Sequence, residues 1–152
     1  MSDLEARVKR LEDIDEIKKV KNKYCYCVDA HDIDGILSTF AEDIKADYGP
    51  LGTYDGIKEV RRFFTEVVTQ VLPFYVHMVH NGSVEVNGDQ AEGRWYFEVP
   101  ANHAPSNKAV WLQGRYDDKY KKVNGEWKCS VMNCTFIYMT PYDKGWMIDK
   151  GL

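Results

Sequence analysis

The N-terminal segment carries apolar residues at three- and four-residue steps, with charged residues between them. This spacing predicts one long amphipathic helix that ends near residues 29–31, because such positions share one face of an α-helix. The lysines at 18, 19, 21 and 23 are expected to form its solvated flank. The predicted apolar face consists of Leu4, Val8, Leu11, Ile14, Ile17, Val20, Tyr24 and Val28.

Shorter elements follow this helix. A second helix is predicted to begin under a cap from Asp32 or Asp34 and to carry Phe40 inward at its end. A brief strand at 44–48, a turn and a second short strand ending at Tyr54 come next. These connecting elements precede a third predicted helix.

The third predicted helix begins after Asp55-Gly56 and ends before Pro73, which cannot continue a helix. From Phe74 onward the apolar period changes from 3.6 to 2 and predicts four long strands. Asn87-Gly88 and Asn124-Gly125 supply the residue pair that a tight type I′ hairpin turn requires. The second half of the chain is therefore predicted to be an antiparallel meander.

Two glycines inside strand patterns, Gly82 and Gly93, predict bulges or bends that curl this sheet. Residues 100–108 are expected to form a wide loop, and the tail from Pro141 is expected to be irregular. Helices followed by long bent strands indicate one α+β domain over residues 1–152, a cone-shaped half-barrel of about six strands with three helices. The mouth of such a cone is where a small molecule would enter.

Charge and cysteine content exclude several classes of function. A net charge of −4 with scattered basic residues argues against nucleic acid or an anionic membrane as partner. No window approaches the roughly 18 apolar residues of a membrane span, and the N-terminus lacks the apolar stretch of a secretory signal. The four cysteines match neither a zinc site nor a disulfide framework. We therefore expect reduced thiols in a cytoplasmic protein.

The segment 74–80 is the most informative for chemistry. Strand alternation places His77 and His80 on opposite faces, so one points inward and a shared zinc site is disfavoured. An inward imidazole can act as a general base near neutral pH when a neighbour fixes its tautomer. The alternative is a hydrogen-bonded histidine of the core or rim.

Two carboxylates near the end of the first helix, Asp29 and Asp32, are candidate partners of that imidazole, and Tyr24 is a further candidate for the same pocket. Tyr24 and Asp29 are separated by about 140° of helical rotation, so they share a pocket only if the helix end is enclosed from two sides. A buried carboxylate there needs a partner such as an inward histidine. Asp32 is the competing carboxylate, with helix capping as its alternative role.

Large apolar side chains are predicted to line the rest of the pocket. They alternate on two later strands, whereas Arg94 and Arg115 are expected to lie in solvent or in ion pairs. The expected substrate-contacting residues on these strands are Trp95, Phe97, Val99, Met132 and Phe136.

Five segments resemble the SnoaL-like branch of the nuclear-transport-factor-2 superfamily, over nearly the whole chain. Within that branch the chain resembles bile-acid 7α-dehydratase, hexachlorocyclohexane dehydrochlorinase and scytalone dehydratase. The segments that resemble them are 23–29 (KYCYCVD), 52–56 (GTYDG), 76–80 (VHMVH), 93–98 (GRWYFE) and 118–127 (DKYKKVNGEW).

The resemblance implies that His77 removes a proton from carbon and that Asp29 orients its imidazole. It further implies that Tyr24 donates a hydrogen bond to a substrate oxygen and that Tyr48 belongs to the pocket. No cofactor is implied. The chain departs from the bile-acid enzyme at Val99, where that enzyme has an acidic residue. An arginine of these enzymes near the last strand is replaced here by Met132 or Phe136.

These features predict a cofactor-independent lyase or dehydratase acting on a small, hydrophobic, cyclic substrate. Isomerisation and binding without catalysis stay open. The rival prediction is an assembly module such as the small subunit of a ring-hydroxylating dioxygenase, which would require a large companion chain. A homo-oligomer, dimer or trimer, is expected in either case because the outer sheet face carries Trp and Tyr.

Overall fold

The computed structural model describes residues 2–146, and its first element is the 27-residue helix α1 (Asp3–Asp29). A capping box closes its N-terminus: Ser2 Oγ accepts a hydrogen bond from the Glu5 N–H, and the Glu5 carboxylate accepts one from the Ser2 N–H. The helix ends where predicted. Its apolar face is buried only from about Asp13 onward, so Leu4, Val8 and Leu11 are exposed, contrary to the prediction.

The second helix, α2 (Ile33–Ser38), begins under the side chain of Asp32, which accepts a hydrogen bond from the Gly35 N–H. Phe40 does not belong to this helix, contrary to the prediction, but begins strand β1 (Phe40–Asp47). A short 3₁₀ turn then leads into strand β2 (Thr53–Asp55), which pairs antiparallel with β1.

The third helical segment changes its winding in the middle. It consists of α3 (Ile57–Arg62), a π-helical stretch (Phe63–Val68) and α4 (Thr69–Val71). Within the π-helical stretch the successive residues Phe63 and Phe64 are both buried. π-Helical insertions are rare and are concentrated at functional sites.

Five strands follow, and with β1 and β2 they form one curled sheet. The strand order is β2-β1-β7-β6-β5-β3, with β4 also pairing with β5. β1 lies parallel to β7, and the other pairs are antiparallel. The predicted α+β half-barrel is confirmed, with seven strands because a two-residue β3 precedes the four long ones. These strands are β3 (Phe74–Tyr75), β4 (Met78–Asn87), β5 (Gln90–His103), β6 (Lys108–Val123) and β7 (Glu126–Pro141).

The two predicted hairpins differ in their turns. Asn124 and Gly125 both have positive φ, +52° and +86°, as a type I′ turn requires. At the other hairpin the prediction was wrong by one residue. Asn87 pairs with Gln90 in the ladder, so Gly88 and Asp89 form the loop, and only Gly88 has positive φ.

The glycines inside strands have different roles. Gly82 lies in a register shift between β4 and β5, as predicted for a bulge. Gly93 lies in an uninterrupted ladder, so the predicted bulge there is wrong. A Cβ at Gly93 would approach the Tyr120 ring within 2.9 Å, and close packing therefore requires glycine. Gly114, which the sequence analysis did not single out, lies at a register shift between β6 and β7.

The predicted wide loop at 100–108 is shorter than expected, because β5 extends to His103 and β6 begins at Lys108. Strand β7 includes Pro141, and residues 142–146 form a turn. The rest of the predicted irregular tail, residues 147–152, lies outside the described residues. All four cysteines are free thiols.

The two faces of the sheet differ in character. The inner face packs against α1 and the α3–α4 segment through alternate residues of β5 and β6. On the outer face Arg94 and Arg115 both pair with Asp117 at 2.7 Å, as expected for arginines in ion pairs. A cluster of aromatic rings lies at the end of β7: Trp111, Tyr138, Tyr142 and Trp146.

Candidate active site

A small cavity of about 50 Å³ lies between the inner face of the sheet and the helices. Its wall is apolar or aromatic apart from one imidazole, four phenol hydroxyls and one thiol. This composition is typical of a small-molecule pocket, in which a few polar groups orient an apolar ligand. The lining residues are Tyr24, Val28, Tyr48, Leu51, Phe63, Phe64, Val68, Leu72, Tyr75, His77, Phe97, Val99, Leu112, Tyr116, Cys134 and Phe136.

Asp29 and His77 meet at the edge of this cavity. The Asp29 Oδ1 atom lies 2.7 Å from His77 Nδ1, and both carboxylate oxygens accept the His77 backbone N–H at 3.0 Å. The carboxylate accepts, so Nδ1 carries the proton and Nε2 retains its lone pair. The exposed fractions of the Asp29 and His77 side chains are 23% and 13%, so the pair is partly accessible to water.

Local backbone geometry brings this pair together. Asp29 is the last residue of α1, and His31, with φ of +54°, then reverses the chain. On the other side, β3 ends at Tyr75 and β4 begins at Met78, so the His77 N–H is not needed by a sheet ladder. That break frees the backbone donor for the carboxylate. Asp32, the competing carboxylate, caps α2 instead.

Tyr24 and Tyr48 contact each other within the cavity wall. The Tyr24 hydroxyl donates to the Tyr48 hydroxyl at 3.5 Å, a long hydrogen bond. Burial raises the pKa of both phenols well above the usual value, so both remain neutral donors. Tyr24 packs between Phe40 and Phe64, on helix α1 but on a different side from Asp29. The helix end is thus enclosed from two sides.

The apolar residues expected to contact substrate divide into two groups. Phe97, Val99 and Phe136 border the cavity. Trp95 and Met132 do not: both are buried in the core, and the Trp95 ring covers Gly82. The sequence placed Trp95 on the correct face of β5, but the cavity does not extend that far along the strand.

Sequence reasoning missed two cavity tyrosines, Tyr75 and Tyr116. Tyr75 packs edge-on against the His77 ring, and its hydroxyl lies 3.3 Å from His31 Nδ1. Tyr116 shares the inward row of β6 with Leu112. Strand alternation in β6 was the available signal for Tyr116, since every second residue from Val110 to Tyr120 is buried.

A buried ion pair was also missed, because Lys21 was assigned to the solvated flank of α1. Lys21 Nζ lies 2.9 Å from Asp118 Oδ2, and the two side chains are 1% and 0% exposed. Tyr120 donates to the same oxygen at 3.0 Å. Burial raises the pKa of Asp118, while Lys21 and Tyr120 act in the opposite direction.

Other reactive groups near the cavity are not activated. Burial raises the pKa of Cys134 to about 12, so this thiol stays protonated and is a poor nucleophile at neutral pH. Within residues 2–146 no group of three or more His, Cys, Asp or Glu side chains is arranged to hold a metal ion. None of the helices in that range is both long and apolar enough to cross a bilayer.

A curled sheet covered by helices, with an apolar cavity between them, defines the chain as a cone-shaped α+β protein of the nuclear-transport-factor-2 type. Residues 9–133 match the SnoaL-like domain model. The chain therefore belongs to the SnoaL-like family.

Relatives and solved structures agree with this assignment. An uncharacterised protein of Mycobacterium tuberculosis is 30% identical over 115 residues, which is 74% of this chain and 78% of that protein. The hexachlorocyclohexane dehydrochlorinase of Novosphingobium barchaimii superposes with a TM-score of 0.83 at 23% identity, covering 89% of this chain and 93% of that one. A scytalone dehydratase candidate of Novosphingobium aromaticivorans gives 0.77 at 21% identity, with coverages of 87% and 89%. At these identities the two superpositions establish the shared fold.

Proposed function

We propose that this protein is a cofactor-independent lyase that eliminates a leaving group from a small, cyclic, hydrophobic substrate. The observation that carries the proposal is the Asp29–His77 pair at the edge of an apolar cavity. A carboxylate on Nδ1 leaves Nε2 as the basic atom and stabilises the imidazolium that forms after proton transfer.

In the proposed reaction His77 Nε2 takes a proton from a carbon of the substrate. The C–H bonding pair becomes the new C=C bond, and the leaving group on the neighbouring carbon departs with its own bonding pair. Tyr24 and Tyr48 supply neutral O–H groups for hydrogen bonds to a substrate oxygen or to the leaving group. The proton on His77 then returns to the leaving group or to water.

The apolar wall supports a neutral substrate. Val99 and Phe136 line the cavity, and His77 is the one imidazole among its lining residues. An anionic substrate would find no lysine or arginine in this lining, and removing its charge from water would cost several kcal/mol. A hydrophobic ring instead gains free energy by burial against Phe63, Phe64 and Phe97.

The test compares turnover in His77→Gln and Asp29→Asn with the wild type. Hexachlorocyclohexane, followed by chloride release, and scytalone, followed by loss of water, are the first substrates to try, because the structural neighbours are described by those activities. Each variant is expected to lower kcat by about 10² to 10⁴. His80→Gln, in strand β4 three residues further on and outside the cavity lining, is the matched control and should retain activity.

Retained turnover in both dyad variants would eliminate this mechanism. The rival function, an assembly module of a larger enzyme, does not need a carboxylate bound to the cavity histidine. It would be favoured if the native protein co-purified in fixed stoichiometry with a large companion chain and His77→Gln left the activity of that complex unchanged.

A further inference from the structure

Tyr116 presents a hydroxyl to the cavity for which the described residues provide no hydrogen-bond partner. The residue is 3% exposed and lies on the inward row of β6. In residues 2–146 the buried side-chain atoms sealed away without a partner are Trp95 Nε1, Trp111 Nε1 and Asp118 Oδ1. The Tyr116 hydroxyl is not among them, which means that it opens onto cavity space. A phenol donor in an otherwise apolar wall is a binding group for a polar ligand atom.

A second donor lies in the same wall. The Tyr48 hydroxyl accepts from Tyr24, so its own proton remains available to a ligand. The Tyr24 and Tyr116 rings meet edge-to-face with centroids 6.4 Å apart, which places Tyr116 next to the Tyr24–Tyr48 pair. Both donors lie in the wall of the same cavity and are available to a polar atom of a ligand.

The environment of the Tyr116 ring carries a positive charge. Lys21 Nζ lies 3.3 Å from the ring centroid of Tyr116 and 5.1 Å from that of Tyr24. The same ammonium donates a hydrogen bond to Asp118 at 2.9 Å, which fixes its position beside the two rings. A cation on a phenol face draws electron density from the ring, which strengthens the O–H as a donor.

We propose that Tyr116, polarised by Lys21 and acting with Tyr48, binds a substrate oxygen that becomes negatively charged during the reaction. This inference rests on the proposed function and narrows its substrate class to cyclic ketones or enones. When His77 takes the proton next to the carbonyl, the C–H pair forms a C=C bond and the carbonyl π pair moves to oxygen as an enolate. Collapse of that enolate then expels the leaving group with its bonding pair.

Fixed donors aimed at a developing oxyanion in a dry site are among the largest contributions to enzyme catalysis. The burial that raises the pKa of Tyr116 keeps it a neutral donor at neutral pH. Lys21 and Asp118 are positioning residues here, since neither lines the cavity. Their contact fixes a positive charge behind the donor without exposing it to the ligand.

The experiment uses para-nitrophenol as the probe, because its phenolate absorbs visible light and its bound protonation state can be read directly. Nitrobenzene has the same ring without the oxygen and serves as the matched ligand. Compared with Tyr116→Phe, the wild type should hold a larger fraction of the bound probe as phenolate. Tyr116→Phe should weaken phenolate binding about tenfold or more and leave nitrobenzene binding unchanged.

Two further variants separate polarisation from packing. Lys21→Met/Asp118→Asn removes the ion pair without leaving a buried charge, and it should weaken phenolate binding about fivefold. Tyr96→Phe on the outer face is the control and should leave the binding of both ligands unchanged. Equal loss of phenolate and nitrobenzene binding in Tyr116→Phe would show a packing role and overturn the inference, as would a wild type that binds no phenolate.

Failure of this inference is distinguishable from failure of the proposed function. Phenolate binding does not require a base, so His77→Gln should retain it while losing turnover. If Tyr116→Phe leaves phenolate binding intact and His77→Gln abolishes turnover, the proposed lyase function is supported and the oxyanion-binding role of Tyr116 is excluded. If phenolate binding depends on Tyr116 but His77→Gln remains active, the oxygen site stands without the dyad mechanism.

Discussion

Two of the ionic contacts between helix α1 and the rest of the chain differ in almost every other respect. Lys21–Asp118 is sealed from water, whereas Asp29–His77, about 12 Å further along the helix, is partly open. Only the second contains a group whose ordinary pKa lies near neutrality. The comparison indicates that the open pair is suited to exchange protons, and the sealed pair is suited to hold a fixed charge in place.

The sealed pair has a further distinguishing feature. Asp118 Oδ1 has no hydrogen-bond partner among the described residues, so one oxygen of a fully buried carboxylate is unsatisfied. Its other oxygen is bound by both Lys21 and Tyr120. Buried ion pairs of this kind add little net stability, yet losing one partner is costly. Substitution in the sealed pair should therefore lower stability most, whereas substitution in the open pair should lower turnover most.

The largest effect is expected from Asp118→Ala. This change leaves the Lys21 ammonium buried without a counter-ion and removes the acceptor of Tyr120. The free energy of unfolding, measured by urea denaturation, should fall by about 3 to 5 kcal/mol. Lys21→Met/Asp118→Asn should recover most of that loss, because no uncompensated charge remains. A double variant as unstable as the single one would show that the ion pair itself stabilises the fold.

Much of this comparison could not be predicted from the sequence. The extent of α1 and the Asn124-Gly125 turn depend on local signals, and both were predicted correctly. Lys21 was assigned to solvent because lysine is almost never fully buried unless paired, and its partner lies 97 residues away. No local pattern encodes such a contact. Leu4 and Leu11 are exposed because the sheet does not reach that end of α1. The apolar periodicity of the helix does not indicate where the sheet ends.

The candidate site was more accessible to sequence reasoning than the sealed pair. Strand alternation predicted that one histidine of residues 74–80 points inward, the family resemblance selected His77 with Asp29, and the structure places these two in contact. The same alternation could not determine how far the cavity extends along a strand, so Trp95 was included and Tyr116 was omitted. Cavity limits depend on packing between β5, β6 and the helices, which is a long-range property.

A third contact of α1 with the sheet predicts a pH effect of intermediate size. Asp13 accepts hydrogen bonds from Trp127 Nε1 at 2.9 Å and from Lys122 Nζ at 2.6 Å. Burial alone would raise the pKa of Asp13, but these hydrogen bonds and the nearby lysine charges lower it overall. The carboxyl is more acidic folded than unfolded, so its stabilisation is present above about pH 4 and is lost as the pH falls through the folded pKa.

Asp13→Asn should therefore lower stability at neutral pH by about 1 to 2 kcal/mol and flatten the acid limb of the stability profile. Urea denaturation repeated from pH 7 down to pH 2 measures both effects. Asp15→Asn, two residues away on the exposed side of α1, is the matched control and should leave the profile close to that of the wild type. Parallel wild-type and Asp13→Asn profiles would exclude this carboxyl as a source of acid sensitivity.

The smallest effect on stability is expected at the open pair, and it is the most direct test of the comparison. In Asp29→Asn the amide oxygen can still accept from the His77 backbone N–H, and the site is partly hydrated. The unfolding free energy should change by less than about 1 kcal/mol. The variant loses the charge that stabilises the imidazolium, so its kcat should still fall strongly. A loss of stability at Asp29→Asn as large as that at Asp118→Ala would instead make Asp29 a structural anchor, and the division between a proton-exchanging contact and a fixed-charge contact would fail.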